Sequence, residues 1–378
     1  MDARIKPLER FYPVSQPSVG ERELRYVTDA VQSGWISSIG PYVTRFEADF
    51  AAFCGTAHAV SVANGTVALH LALRAYGIGE GDEVIVPDLS FIATANAVLM
   101  AGATPVFCDI DAHTLCLDPA LIEARVTERT RAVMPVHLYG HPADMAAINA
   151  LARRHGLKVI EDAAEAHGAE VDGRRVGGLG DCGTFSFYGN KNLTTGEGGM
   201  ITSNDAAFIE RCRLLRDHAM SPARRYWHEE LGYNYRMTNL QAALGCAQLD
   251  RAAELLGGRR ALFAEYSKRL GDRPGLRLNR TAPWARNGYW LVCVEMEGLT
   301  EERRATVMQN LRERGVDTRP YFYPMSAMPY FSPAQTPVAH AASASGFSLP
   351  TYMGLEADDI DYICDQVLRQ VEEFSARV

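Results

Sequence analysis

At 378 residues the chain is long for a single hydrophobic core, so a large unit accompanied by a smaller one is expected. Its composition, 47% hydrophobic and 22% charged, is ordinary for a globular protein, and a formal charge of −8 argues against a general nucleic-acid binder. Eight scattered cysteines with no Cys-x-x-Cys pair read as reduced thiols of a cytoplasmic protein, not as a disulfide frame or a zinc site.

The chain opens on Met1–Tyr12, which mixes charges and prolines without the apolar centre of a secretory signal. Residues 21–33 have helical spacing, with Leu24, Val27 and Val31 on one face and Gly34 as a stop. Thr44-x-x-Glu47 reads as a capping box ahead of Phe46, Phe50 and Phe53. Helix and strand patterns then alternate. Helices are expected at 66–76, 91–100, 119–126 and 143–155, and strands at 83–86, 105–108, 132–136 and 157–160. This rhythm implies an α/β protein with a mostly parallel sheet between helices. No apolar run is long enough to span a membrane; Ile92–Ala103 is too short and is interrupted by polar residues and glycine.

After Asp181 the rhythm changes. Short strands are expected at 184–188 and 200–202, and Thr238-x-x-Gln241 caps a long helix reaching about Leu256. Beyond Gly257 a second unit is expected, with helices at 259–270 and 301–314, a strand at 290–296 and a last helix after Asp358. The division is therefore 1–255 for the large unit and 256–378 for the smaller α/β unit.

Two residues carry the chemistry. Lys191 lies in a small-residue loop between two short strands, followed by Gly196-Glu197-Gly198-Gly199. A lysine confined there can lose its proton and form a Schiff base. Asp162 ends the strand Lys158-Val159-Ile160-Glu161, and ligands of such sheets bind at the carboxyl ends of strands. An amine for an aldehyde and a carboxylate for a ring nitrogen are what pyridoxal 5'-phosphate requires. Asn64-Gly65-Thr66 opens a helix whose free amides can hold a phosphate, although the same run is also an ordinary helix start. Phe91, after the loop Pro87–Ser90, is either core or a cover for a flat ring. His137 and His141 have the spacing of a helical metal pair, but Gly140 and Pro142 oppose a helix, so no metal is expected. His167 reads as a packed side chain. Gly177-Gly178-Leu179-Gly180 lacks the spacing of a dinucleotide turn.

Taken together, several runs resemble the StrS-type (DegT-type) nucleotide-sugar aminotransferases. They are Trp35–Ser38, Asn64–His70, Gly81–Pro87, Pro135–Gly140, Glu161–Glu165, the Lys191 loop and Gly232–Ala243. The resemblance implies the aspartate-aminotransferase-like fold, fold type I of the pyridoxal-phosphate enzymes, and an amino transfer from glutamate to a nucleotide-linked keto sugar. It implies that Lys191 binds the cofactor and shuttles protons, and that Asp162 pairs with the pyridine nitrogen. It has Phe91 stack on the ring, Gly65, Thr66 and Ser186 hold the phosphate, and Glu165 lie on the side of the ring hydroxyl. Asn234 is similar to a residue that reaches the partner subunit's phosphate, so a homodimer with shared sites is implied. Candidate substrate contacts are Ser37, Arg236, Arg319 and Tyr321, the two arginines because a guanidinium matches a carboxylate in two places. Within the family, Glu165, Arg224–Trp227 and Thr318–Met325 point to a GDP-linked 4-keto-6-deoxy sugar. A UDP- or dTDP-linked keto sugar, or a keto-cyclitol, is the alternative. The dehydratase branch carries histidine in place of the lysine, and a non-catalytic cofactor or sugar binder would not need both Lys191 and Asp162.

Overall fold

The computed structural model describes residues 11–375; Met1–Arg10, which hold most of the segment read as unlike a signal, lie outside them. The strands of the first part are β1 (His58–Val62), β2 (Glu83–Pro87), β3 (Thr104–Cys108), β4 (Thr130–Val133), β5 (Lys158–Asp162), β6 (Glu170–Val171), β7 (Arg174–Arg175), β8 (Cys182–Ser186) and β9 (Gly199–Ser203). They are followed by β10 (Leu276–Leu278), β11 (Ala285–Arg286), β12 (Val292–Met296), β13 (Arg319–Pro320) and β14 (Gly346–Leu349). The helices of the first part are α1 (Glu21–Gln32), α2 (Pro41–Cys54), α3 (Gly65–Ala75), α4 (Ala93–Met100), α5 (Pro119–Ile122), α6 (Met145–His155) and α7 (Ala206–Arg216). Then come α8 (Asn239–Asp250), α9 (Ala252–Leu270), α10 (Glu301–Glu313), α11 (Pro337–Ser345) and α12 (Ala357–Ser375).

Seven strands form the large sheet in the order β1-β9-β8-β5-β4-β2-β3. The run from β3 to β8 is parallel, and β9 is reversed against both β8 and β1. Strand alternation divides the core. Val84 and Val86 face α3, α4 and α7, whereas Ile85 faces the opposite layer with α6. Phe185 and Met200 face α2 and α8. A second, four-stranded sheet, β10-β12-β14-β13, packs under α9, α10 and α12, and a small third sheet joins β11, β6 and β7. All eight cysteines are buried and free. Among the described residues no helix is long and apolar enough to cross a membrane, and no cluster of His, Cys, Asp and Glu could hold a metal.

Three local expectations fail for physical reasons. Thr44-x-x-Glu47 is not a cap, because Pro41 starts α2 three residues earlier and Asn239 supplies the cap from another helix, its Oδ1 accepting from Tyr42 N at 2.9 Å. Glu47 is instead buried, accepts from Ser61 N at 2.9 Å and pairs with Arg216 at 2.8 Å. The helix begun at Thr238 ends at Asp250, and α9 runs straight through Gly257 and Gly258. The end of the Met353 side chain packs against Gly258, where a Cβ would lie 2.3 Å from its Sδ. Leu255 and Leu256 pack with the large sheet and Leu262 and Tyr266 with the second, so the handover between the two cores lies within α9. The first described residues also cross over, with Tyr12 in the core of the second sheet.

His167 is fully buried among Phe50, Phe185 and Phe187, and neither ring nitrogen has a partner among the described residues. Burial pushes its pKa down to about 3. His167→Leu should therefore raise stability at neutral pH by about 1–3 kcal/mol, the cost of a buried unsatisfied polar group. The gap should widen in acid. The unfolded imidazole takes up a proton below its ordinary pKa of about 6.5 while the folded one does not until about pH 3, so the wild type alone loses about 1.4 kcal/mol per pH unit in that window. Thermal melts of both proteins at pH 7 and pH 5 test this; a variant that melts lower, or a gap that does not grow, refutes it.

Candidate active site

The carboxyl ends of β1, β2, β4, β5 and β8 meet along one edge of the large sheet, and the loops leaving them build the site. After β8 the chain turns tightly. Lys191 N donates to Tyr188 O at 2.9 Å, Thr195 N donates to Phe187 O at 2.9 Å, and Asn192–Thr195 are buried. The lysine therefore leaves a rigid loop, with only 10% of its side chain exposed. Its Nζ stands 3.7 Å from Glu165 Oε1 and 3.7 Å from the centre of the Trp290 ring. Burial lowers the pKa of Lys191, and the charges of Glu165 and Asp162 act against that.

Asp162, the last residue of β5, is buried and accepts from Thr94 Oγ1 at 2.8 Å and from Ala164 N at 3.2 Å. Burial pushes its pKa up, while Thr94, the Ala164 amide and Lys191 hold it down. Glu165 accepts from Tyr139 N at 2.8 Å, and burial pushes its pKa up to about 7. One residue before Asp162, strand alternation turns Glu161 to the other face. There it accepts from the amides of Gly177, Leu179 and Gly180 at 2.7–2.8 Å and contacts His137 Nε2 at 3.0 Å. The glycine run thus wraps an internal carboxylate. His137 Nδ1 accepts from Ala143 N at 3.0 Å and His141 Nε2 from Ala282 N at 3.0 Å, so both histidines serve packing.

At the end of β1, Asn64 caps α3 by accepting from Val67 N at 3.0 Å. The amides of Gly65 and Thr66, in the first turn, have no intrahelical acceptor. Ser186 closes in from β8, and a Cβ on Gly65 would lie 2.7 Å from Ser186 Cβ. Only glycine allows that approach, which sets a hydroxyl beside two free amides at the positive end of a helix. A phosphate cradle, an amine and a buried carboxylate on one sheet edge fit pyridoxal phosphate.

The remaining expected residues are unevenly placed. Phe91 is exposed and packs edge-on against Phe322, with ring centres 5.8 Å apart. Phe322 in turn stacks on Tyr139, the residue whose amide holds Glu165. Asn234 is exposed on a segment that lies along the end of β1, where Ala63 N donates to Tyr235 O at 2.8 Å. Arg236 is bound to Asp217. Ser37 is exposed, and its carbonyl accepts from Asn239 N at 2.5 Å. Arg319 is paired with Asp317 at 2.9 Å. Tyr321, read as a candidate substrate contact, is 1% exposed, packed in the core against Tyr139 and close to Gly346. Three neighbours of the site had no signal of their own in the sequence. Thr94 reaches Asp162 from α4, and Tyr139 and Trp290 come together because Gly140, at φ 100°, lets two loops meet. The one available hint was aromatic character next to a glycine.

Comparison with known proteins agrees with this geometry. A GDP-perosamine synthase of Caulobacter vibrioides is 49% identical over 364 residues, covering 94% of this chain and 98% of its own. A GDP-perosamine synthase of Escherichia coli O157:H7 is 42% identical, covering 95% and 98%. The crystal structure of the aminotransferase TlmJ from Streptoalloteichus hindustanus superposes with a TM-score of 0.91 at 33% identity, covering 96% of this chain and all of that one, which establishes the fold-type-I architecture. The DegT/DnrJ/EryC1/StrS aminotransferase family matches residues 17–368, and this chain belongs to it as a sugar aminotransferase with pyridoxal 5'-phosphate as its cofactor.

Proposed function

We propose that this enzyme moves an amino group from glutamate to C4 of GDP-4-keto-6-deoxymannose, giving GDP-perosamine, a precursor for lipopolysaccharide O-antigen. The reading is carried by likeness to GDP-perosamine synthases over almost the full length of both chains. Glutamate as donor, the cytoplasmic setting and a homodimer with shared sites belong to the same proposal.

The bound cofactor supplies an aldehyde for the amine and a ring that accepts the electrons released at the substrate carbon. The chain's residues do the rest. Lys191 holds the cofactor and carries a proton between carbons. Asp162, fixed by Thr94 and Ala164, offers its carboxylate to the ring nitrogen. Gly65, Thr66 and Ser186 bind the phosphate. The buried walls at Tyr139, Glu165 and Trp290 exclude water around Lys191.

Two experiments test the proposal. The nucleotide lies far from the reacting carbon, and its binding energy helps to position that carbon. kcat/KM for the GDP sugar should therefore exceed that for UDP and dTDP 4-keto sugars by about tenfold or more, with glutamate in excess. A UDP or dTDP sugar that performs best replaces the proposed substrate. Shared sites are tested by mixing a Lys191→Ala chain with an Asn234→Ala chain. Mixed dimers should recover activity from the one site that carries both residues, and subunits that exchange without recovery count against sharing.

A further inference from the structure

Lys191 does not end in open space. Its Nζ lies between two groups from different elements, Glu165 in the turn after β5 and Trp290 just before β12, each 3.7 Å away. Both receiving groups are buried, at 4% and 5% exposure, and both are fixed. Glu165 Oε2 is tied to the Tyr139 amide at 2.8 Å. Trp290 N donates to Tyr139 O at 3.1 Å, and its indole Nε1 donates to Asn190 O at 2.9 Å, one residue from the lysine itself. The Tyr139 ring stacks beside the indole at 6.3 Å. A carboxylate and an aromatic face are the two surfaces that attract an ammonium most directly, and removal from water strengthens both attractions.

Each half-reaction of an amino transfer moves one proton from a carbon to Nζ and one from Nζ to another carbon, so the lysine must hold its charged form in the interval between the two transfers. We propose that Glu165 and the Trp290 ring form a resting site for the Lys191 ammonium in the interval between the two proton transfers, after its free amine has taken a proton from one carbon and before it gives one to the other. This rests on the role proposed for Lys191. The other groups facing Nζ are Asp162, whose charge favours the ammonium, and His167, which burial keeps neutral. Glu165 and Trp290 are positioning residues that act on the reaction through the lysine.

The chain contains four lysines, Lys6, Lys158, Lys191 and Lys268, so lysine labelled with carbon-13 at Cε gives a readable NMR titration of the apoprotein. Loss of one signal in Lys191→Ala assigns it. Glu165→Gln, which keeps the shape, should lower the pH of half-protonation of Lys191 by about one unit, the smaller end of the effect of an opposite charge at this range. Trp290→Leu should lower it by about half a unit, and Trp290→Phe, which keeps a ring face, by less. Midpoints equal to wild type in Glu165→Gln and Trp290→Leu, or shifted upward, overturn the resting site. That failure is distinct from failure of the lysine's assigned role, which shows as ordinary turnover by Lys191→Ala.

Discussion

Lys191→Ala should reduce steady-state turnover to background. Two contributions are lost together. Proton transfer by a positioned group is worth about 10²–10⁴-fold, and loss of the amine that anchors the cofactor aldehyde adds to that. The fold should survive, because the side chain ends at the site, between Glu165 and the Trp290 ring, and both of those groups keep their own hydrogen bonds without it. The measurement is multiple turnover with glutamate and keto sugar, together with the cofactor's absorbance. The variant should still bind the cofactor through the cradle of Gly65, Thr66 and Ser186 but lack the lysine-linked band. Normal steady-state activity would remove Lys191 from the mechanism.

Asp162→Asn should cost on the order of 10² or more in rate, about 3 kcal/mol in the barrier. The amide keeps the shape and can still meet Thr94, but it carries no charge with which to hold a proton on the ring nitrogen. The loss should fall on kcat more than on KM for the sugar, since the role proposed for the carboxylate is on the ring and not on the nucleotide. Burial pushes the Asp162 carboxyl toward its neutral form, so Thr94 matters as well: its hydroxyl bond favours the charged form that the ring requires. A variant within a factor of about two of wild type would show that the carboxylate does not tune the ring.

Most of the candidate site was legible in the sequence because its residues sit where backbone geometry leaves a trace. Asp162 closes an apolar strand, Lys191 sits among glycines and small polar residues, and Gly65 follows a helix cap. Each trace is local, and the sheet then brings the three together. The residues that could not be read, Thr94, Tyr139 and Trp290, reach the site through tertiary contacts alone. Trp290 lies 99 positions beyond Lys191 in the chain and looks in sequence like the start of an ordinary buried strand. The same limit explains Tyr321. Its motif marks a neighbourhood, but the direction of its side chain is set by packing against Tyr139. β1 and α7 also went unread: His58–Val62 is a short run directly after a helix, and residues 206–216 combine charge with only four buried side chains. The second, four-stranded sheet was mostly missed because its strands are two to five residues long and are defined by partners far away.

The stretch ahead of α1 gives the molecule an unexpected topology. Tyr12 bonds to Gly315 O at 2.7 Å and to Asp317 N at 2.9 Å, and its hydroxyl meets Asp359 at 3.0 Å. Val14 O then accepts from Thr351 N at 2.8 Å, and Ser18 O accepts from Gln248 Nε2 at 2.8 Å. Residues 12–18 are therefore stitched to both cores, and the covalent passage through α9 is not the only connection between them. Cleaving the backbone within α9, where one core gives way to the other, would leave fragments still clasped by residues 12–18, like a belt buckled at a second hole. For protein engineering, residues 12–18 are a poor place to cut, because they join the two cores a second time.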